Sequence, residues 1–182
     1  MNPIVHAELS WLMAQGLRER RDRILVTLAG LAPDLDGLSL LGGEDLYGKY
    51  HHVLTHGYVG ALGVMAVCAL FARRRLAVAL LSVAAFHLHL ACDLVGSGPG
   101  WPLHYFWPTS MHAWFWEGQW DLASWQNSVI GMAATFACLA CALRWRRTVV
   151  ELVSVRWDGE VTRALRARFL GESTQDANGP RG

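Results

Sequence analysis

The stretch that decides the fold reads LAVALLSVAAFHLHLACDLV and covers residues 76–95. Its length and apolar character match the roughly 20 residues that a helix needs to cross a bilayer. Three ionisable side chains interrupt it near its end, His87, His89 and Asp93. Such groups are costly inside a membrane, at roughly 3 kcal/mol for an aspartate, and therefore tend to be functional. The stretch predicts a membrane helix that carries a chemical site.

Three further apolar runs lie around this stretch. Residues 57–72 precede it across the arginines at 73–75, which predicts an antiparallel hairpin, and residues 124–143 form another run. The run at 24–41 is interrupted by Pro33, and proline disfavours helical geometry in the residue before it. We therefore expect a helix that ends near Ala32 and is followed by a turn.

The composition agrees with a membrane protein. Of the 182 residues 53% are hydrophobic and only 17% are charged, too few to cover a soluble globule. The predicted fold class is all-α, a multi-pass membrane bundle of about three to four apolar helices with a His/Asp metal site. The partner is then the lipid bilayer, whereas a net charge of +1 argues against nucleic acid.

Arginine clusters predict the topology. They occur at 18–23, 73–75 and 144–147, and fall on one side of the membrane if the apolar segments alternate. The positive-inside rule makes that side cytoplasmic. The opposite side then holds the histidines at 51–56 and the tryptophan-rich segment at 101–125. That segment is expected to be an interfacial loop, with an ordinary aromatic core as the alternative.

Two domains are expected. Residues 1–147 form the membrane-embedded domain, which includes a short N-terminal helix over 3–15. Residues 148–182 form the second, with amphipathic spacing over 148–170 and a polar tail at 172–182 that is expected to be disordered. The amphipathic helix is predicted to lie on the membrane or on its own protein.

Histidines and aspartates gather at the ends of the apolar segments. The candidates are His6, Asp34, Asp36, His51, His52, His56, His87, His89 and Asp93. So many buried groups are hard to satisfy in pairs, and a divalent cation compensates carboxylates while binding neutral imidazoles. The alternative is a polar network that only holds helices together.

Spacing relates some of these residues. His89 and Asp93 are four apart and share one face of a helix. His52 and His56 have the same spacing, whereas His51 and His56 need a bend between them. Thr55 is expected to cap a helix that begins near His56. Asp34 and Asp36 are expected to converge if the backbone is extended at the proline turn.

The chemistry of these residues favours a catalytic metal. The candidate set has no thiolate, because the cysteines lie within the apolar runs, where they pack as small hydrophobes. Nitrogen and oxygen ligands favour zinc first, with manganese or iron as alternatives, over a closed structural zinc site. One or two ions are expected.

The ordered motifs resemble a known family. Pro-Asp-x-Asp at 33–36, the His-x4-His element at 51–56 and His-x3-Asp at 89–93 occur in this order, followed by Trp-Pro pairs at 101–102 and 107–108. The chain is similar over roughly residues 4–110 to the membrane-bound, metal-dependent hydrolases of the YdjM type, also called LexA-binding, inner membrane-associated hydrolases. The resemblance implies a multi-pass protein of the bacterial inner membrane.

The resemblance also implies a ligand set. The metal ligands it implies are His6, Asp34, Asp36, His51, His56, His89 and Asp93. His52 stands where the family has arginine, and Gly57 where it has serine. His87 matches no family position and lies about 200° around a regular helix from His89. The order of ligands is also similar to that of zinc-dependent phospholipases C and nucleases.

The expected function is hydrolysis of an ester or phosphoester by metal-activated water, with Asp34 or Asp36 as general base. A site near the headgroups suits a lipid or amphiphilic substrate. One alternative is a non-enzymatic membrane adaptor with a structural metal site, whose cytoplasmic tail contacts the repressor in the family's name. An ion transporter is another. The oligomeric state does not follow from the sequence.

Overall fold

The computed structural model describes residues 1–172, and within this range the protein is helical without a β-strand. The seven α-helices of this range are α1 Pro3–Met13, α2 Arg20–Leu31, α3 Glu44–Tyr50, α4 Tyr58–Phe71, α5 Arg75–Gly96, α6 Trp125–Trp145 and α7 Val155–Leu170. The 3-10 helices are Ala14–Gly16, Ala32–Gly42 and Val149–Leu152.

Three helical segments are long and apolar enough to cross a membrane. They are Arg20–Gly42, Arg75–Gly96 and Trp125–Trp145. The apolar helix α4 has 14 residues. At 1.5 Å per residue it reaches about 21 Å, short of the roughly 30 Å hydrocarbon core. The prediction of an all-α membrane bundle with three to four apolar helices is confirmed.

The chain divides into two compact units, Met1–Ile130 and Gly131–Gly182. This division falls inside α6, whereas the sequence placed the domain boundary at 147, which stays a prediction. In the first unit α5 packs against both α2 and α4, and α1 packs on α2. Small buried side chains such as Ala29 and Ala85 allow these helices to approach closely.

Asp22, within the arginine cluster at 18–23, links this cluster to the one at 73–75. The carboxylate of Asp22 accepts hydrogen bonds from the backbone N–H groups of Arg73 and Arg74, at 2.7 and 3.0 Å. The charged residues before α2 and those between α4 and α5 therefore meet at one end of the unit. The side of the membrane on which this end lies stays a prediction.

The proline turn differs from the prediction. The helix α2 ends at Leu31, close to the expected end at Ala32, but the chain continues as the 3-10 helix Ala32–Gly42. Pro33 fits because it occupies the first turn, where its missing N–H has no helical partner. The extended backbone that would bring Asp34 and Asp36 together is therefore absent from this segment.

The segment between α5 and α6, residues 97–124, is hydrogen-bonded to the histidine segment, residues 51–57, and to the start of α4. The His104 N–H donates to the His52 carbonyl at 3.1 Å, and the Tyr58 N–H donates to the Tyr105 carbonyl at 2.9 Å. An antiparallel bridge joins Leu103 and Trp114 within the segment. Its position in the membrane interface stays a prediction.

The second unit carries the expected tail helix in a shortened form. The amphipathic pattern predicted a helix over 148–170, but a 3-10 helix precedes α7, which begins at Val155. Ser154 caps α7 by accepting a hydrogen bond from the Trp157 N–H at 3.3 Å. The disorder predicted for 172–182 concerns residues outside the described ones, apart from Glu172.

Gly60 offers a test of the packing at the start of α4. A Cβ added there would lie 2.3 Å from the Thr55 carbonyl oxygen, a backbone atom that cannot move away cheaply. We expect Gly60→Ala to destabilise the fold by about 1–3 kcal/mol, measured as thermal unfolding in detergent.

Gly63 in the same helix is the matched control. No atom lies within 4 Å of a Cβ added there. Gly63→Ala is therefore expected to change the free energy of unfolding by less than about 1 kcal/mol. Equal melting temperatures for the two variants would contradict the close approach of Thr55 to α4.

Candidate metal centre

Asp93, near the end of α5, lies at the centre of a group of histidines. Its Oδ2 atom is 2.8 Å from the Nε2 atom of His89. The same oxygen lies 3.5 Å from His56 Nε2 and 3.9 Å from His52 Nε2. One carboxylate oxygen therefore faces three imidazoles from two separate segments of the chain.

The other oxygen of Asp93 faces α1. Its Oδ1 atom lies 3.2 Å from His6 Nε2. It also accepts a hydrogen bond from Ser97 Oγ at 2.9 Å and one from the Met1 amino group. The predicted residues His6, His56, His89 and Asp93 are thus brought together around a single carboxylate.

His89 is oriented by a neighbouring helix. Its Nδ1 atom donates to the Gly30 carbonyl in α2 at 2.7 Å. Its Nε2 atom consequently faces the carboxylates, at 3.5 Å from Asp34 Oδ1. Its ring stacks on His6, with centroids 3.7 Å apart. Fixing one ring nitrogen on a carbonyl and leaving the other free is how proteins orient a metal-binding histidine.

Asp36 has a different environment from Asp34. Its Oδ1 lies 2.8 Å from His51 Nδ1, and its Oδ2 lies 2.9 Å from His56 Nδ1. The Thr55 N–H also donates to Oδ2 at 3.3 Å. Both carboxylate oxygens are therefore engaged in holding two imidazole rings, and this leaves Nε2 of His56 directed at Asp93.

The expected convergence of Asp34 and Asp36 is wrong. A 3-10 helix has 3.0 residues per turn, so two positions apart correspond to about 240° of rotation. Asp34 accordingly faces His89, whereas Asp36 faces His51 and His56. The two aspartates belong to two different groups of potential ligands.

The helix expected to begin near His56 begins two residues later, but the expected cap at Thr55 is wrong. The helix α4 begins at Tyr58 with Gly57 at its N-cap, and no side chain caps it. Thr55 instead accepts a hydrogen bond from the Asp36 N–H at 3.1 Å and donates its hydroxyl to the Pro33 carbonyl. Thr55 therefore connects the histidine segment to the 3-10 helix Ala32–Gly42.

Sequence reasoning set His52 aside, but the structure places it in the cluster. Its side chain is buried, and its ring lies 4.5 Å from that of His56. Its φ of 66° is left-handed, which is uncommon for a residue with a Cβ atom and frequent at functional sites. The spacing of four from His56 was the available signal, although these residues are not helical.

His87 lies outside the cluster, as its place on α5 predicted. Its Nδ1 atom donates to the Val83 carbonyl at 2.8 Å, and its Nε2 atom accepts from the Tyr105 hydroxyl at 2.9 Å. Both ring nitrogens are therefore satisfied without a metal. His87 is a suitable control for substitutions of the clustered histidines.

The helix α3, which the sequence analysis missed, supplies one wall at the edge of the cluster. Its Tyr47 ring stacks on His51 with centroids 4.5 Å apart. Trp101 meets the rings of His51 and His52 edge-on, at 5.5 and 5.6 Å. His51 is 12% exposed and Asp34 is 27% exposed, so solvent reaches the cluster from this edge.

Several buried polar atoms of the cluster have no hydrogen-bond partner among residues 1–172. They include His6 Nε2, Asp34 Oδ2, His56 Nε2 and His89 Nε2. An unsatisfied buried group costs about 1–3 kcal/mol, and a cation would satisfy these atoms at once. Ligand atoms of Asp34, His56, His89 and Asp93 lie within 4.8 Å of one another, as do those of Asp36, His51 and His56. These residues fit a metal ion.

Burial determines the charge of two clustered histidines outside the spanning segments. It lowers the pKa of His52 to about 3, and it lowers the pKa of His6 from its usual value. Burial also opposes protonation of His56, but its hydrogen bond with Asp36 and the nearby carboxylate of Asp93 outweigh it and raise the pKa of His56. Neutral imidazole, which His52 and His6 present, is the form that binds a metal.

The fold and the site define a multi-pass, all-helical membrane protein with a buried His/Asp cluster that could hold a metal ion. The family model described as YdjM inner membrane protein matches residues 1–157, and the chain belongs to this family. The predicted family is confirmed, and so is the location in the bacterial inner membrane. Comparison with curated proteins and with solved structures gives no match.

Proposed function

We propose that the protein is a metal-dependent hydrolase of the inner membrane that acts on ester or phosphoester bonds. The observation that carries the proposal is the set of buried nitrogen and oxygen atoms without hydrogen-bond partners around Asp93. Such a set is costly to desolvate, and a cation would compensate its carboxylates and bind its imidazole nitrogens.

Asp34, His56, His89 and Asp93 would hold the ion, because their ligand atoms are mutually close. The absence of cysteine from this set favours zinc, with manganese or iron as alternatives. Such an ion supplies a Lewis acid and lowers the pKa of water towards neutrality. His6 lies close enough to Asp93 to hold its second oxygen or to take part in binding a second ion.

The two predicted catalytic aspartates take different roles in this proposal. The Asp34 side chain is the more accessible of the two, and its buried Oδ2 atom has no hydrogen-bond partner among the described residues, so one oxygen can bind the ion while the other accepts a proton. Asp36 is buried, and its two oxygens hold His51 and His56. Asp36 is therefore a positioning residue.

The edge formed by Tyr47, His51 and Trp101 is the proposed entrance for substrate. These aromatic rings provide an apolar rim beside the accessible side of Asp34. Because Asp34, His89 and Asp93 lie on candidate membrane-spanning segments, a lipid or another amphiphile suits this entrance better than a large polar molecule.

Asp36→Asn tests the positioning role. Asparagine keeps the size of the side chain but cannot present an anionic oxygen to both imidazoles. We expect metal affinity to fall about 10–100-fold, as is usual when a residue that orients a ligand is lost. Titration of the metal-free protein with cobalt would measure this, and the absorption spectrum at saturation should match that of the unmodified protein. A changed spectrum would mean that Asp36 is itself a ligand.

The hydrolase proposal is tested by metal analysis and an activity screen. The protein, purified in detergent without chelators, is analysed for transition metals and incubated with nitrophenyl esters and phosphoesters. We expect bound metal, and hydrolysis that His89→Ala abolishes and His87→Ala retains. Hydrolysis unaffected by His89→Ala, or a protein that neither contains nor binds a transition metal, would refute the proposal.

A second candidate is a non-enzymatic membrane protein with a structural metal site. It is favoured by burial, because His56, His89 and Asp93 are at most 2% exposed. Structural sites are closed, whereas catalytic sites keep an open position. Bound metal without any hydrolysis, together with loss of folding in His89→Ala, would support this candidate over the enzyme.

A further inference from the structure

The tail helix α7 exposes an apolar stripe that its own unit does not cover. Val153, just before the helix, is 75% exposed, Trp157 is 60% exposed, and Val161 is also exposed. Trp157 and Val161 are four apart and therefore lie above one another on one side of α7, and the exposed Val153 lies in the turn that precedes the helix. Large apolar side chains in a contiguous stripe on a protein surface indicate a binding surface.

Another face of α7 is engaged within the second unit. The buried carboxylate of Asp158 accepts a hydrogen bond from the Thr148 hydroxyl at 2.8 Å and another from the Thr148 N–H. Arg166 donates to the Leu143 carbonyl and forms an ion pair with Glu172. At 100° per residue Trp157 lies on the side of α7 opposite Arg166, and Val161 lies between Trp157 and the buried Asp158.

These contacts tie α7 to the end of a membrane-spanning helix. Leu143 lies in the last turn of α6, Trp125–Trp145, which is one of the three candidate spans. That turn also carries the exposed Arg144 and Trp145, residue types that mark the headgroup level of a bilayer. Because Arg166 contacts Leu143, α7 lies beside the end of this candidate span.

The charges beside the stripe complement an anionic leaflet. Arg144, Arg156 and Arg168 are exposed. The acidic residues of α7 are otherwise engaged, because Glu160 pairs with Arg163 and Asp158 is buried against Thr148. Arginines that flank an apolar stripe are typical of helices that lie in the interface of a membrane containing anionic lipids.

We infer that α7 is an interfacial helix: its exposed Trp157 and Val161, with Val153 in the preceding turn, insert among the acyl chains, and the neighbouring arginines contact lipid phosphates. The occupant of this surface is the anionic leaflet that α6 enters. This inference is independent of the metal site, since none of its residues belongs to the His/Asp cluster.

Depth measurements on spin-labelled protein test the inference. The full chain, with its four cysteines replaced by alanine, receives a label through Val161→Cys or, as matched control, through Glu160→Cys. Each protein is reconstituted into vesicles of phosphatidylcholine with phosphatidylglycerol. We expect the label at 161 to be accessible to oxygen and protected from a water-soluble nickel chelate, and the label at 160 to show the reverse.

Other outcomes overturn the inference. Equal exposure of both positions to the nickel chelate would place the stripe in water. Protection of position 161 from both reagents would mean that protein covers it, either a partner or a second copy of the chain. Both results can be read without any measurement of activity.

The contribution of the arginines is tested separately. The label at 161 should lie at a smaller depth in vesicles of phosphatidylcholine alone than in vesicles that also contain phosphatidylglycerol. The double variant Arg156→Gln, Arg168→Gln should remove this difference, because it removes the charges that attract anionic headgroups. A depth that is equal in the two lipids would overturn the assignment of phosphate contacts.

Discussion

Asp93→Asn is expected to remove the divalent metal from the purified protein, with a loss of affinity of more than about 100-fold. Asp93 contacts histidines from three segments of the chain, since its two oxygens face His6, His56 and His89. Asparagine preserves the volume of the side chain but lacks the negative charge that a cation requires. The measurement is the metal content per chain after purification without chelators.

His87→Ala is the matched control for this prediction. His87 lies on the same helix, but its two ring nitrogens are bonded to Val83 and Tyr105 and not to the cluster. Its replacement should leave the metal content unchanged. If Asp93→Asn retained the metal, or if both variants lost it equally, Asp93 would not be the central ligand.

Removal of the metal is expected to lower the melting temperature of the protein markedly. An ion that binds only the folded state stabilises it by about 2.7 kcal/mol when its concentration is 100 times its Kd. The cluster joins α1, α2, α5 and the histidine segment, so without the ion the unsatisfied atoms of His56 and His89 destabilise their packing. Thermal unfolding in detergent, with added metal or with chelator, measures the difference.

The Asp93→Asn variant provides the control for this second prediction. It should melt at the same temperature with metal and with chelator, because it no longer binds the ion. A chelator that lowers the melting temperature of both proteins equally would be acting elsewhere than on this cluster. Identical melting of the unmodified protein in both conditions would contradict a metal that is linked to folding.

Local patterns in the sequence determined most of the helices. A run of about 20 apolar residues predicts a membrane helix from hydropathy alone, and α5 and α6 follow their runs within two residues at each end. The pairing of His89 with Asp93 was also predictable, because a spacing of four on one helix is local geometry. The short helix α3 was missed because Glu44–Tyr50 has too few residues to show a period.

The tertiary structure determines which residues of the site contact each other. The sequence could not show that the segment after Pro33 is a 3-10 helix, which turns Asp34 towards His89 and Asp36 towards His51. Nor could it show that His52 adopts a left-handed conformation and joins the cluster.

By itself, then, the sequence determined a membrane bundle, its apolar helices and the residues capable of binding a metal, because hydropathy and helical spacing are properties of neighbouring residues. Only the tertiary structure decided which carboxylate faces which imidazole. Asp36, His56 and Asp93 are far apart in sequence, and they meet because α2, α4 and α5 pack together. The directions of their side chains depend on that packing, which no local pattern encodes.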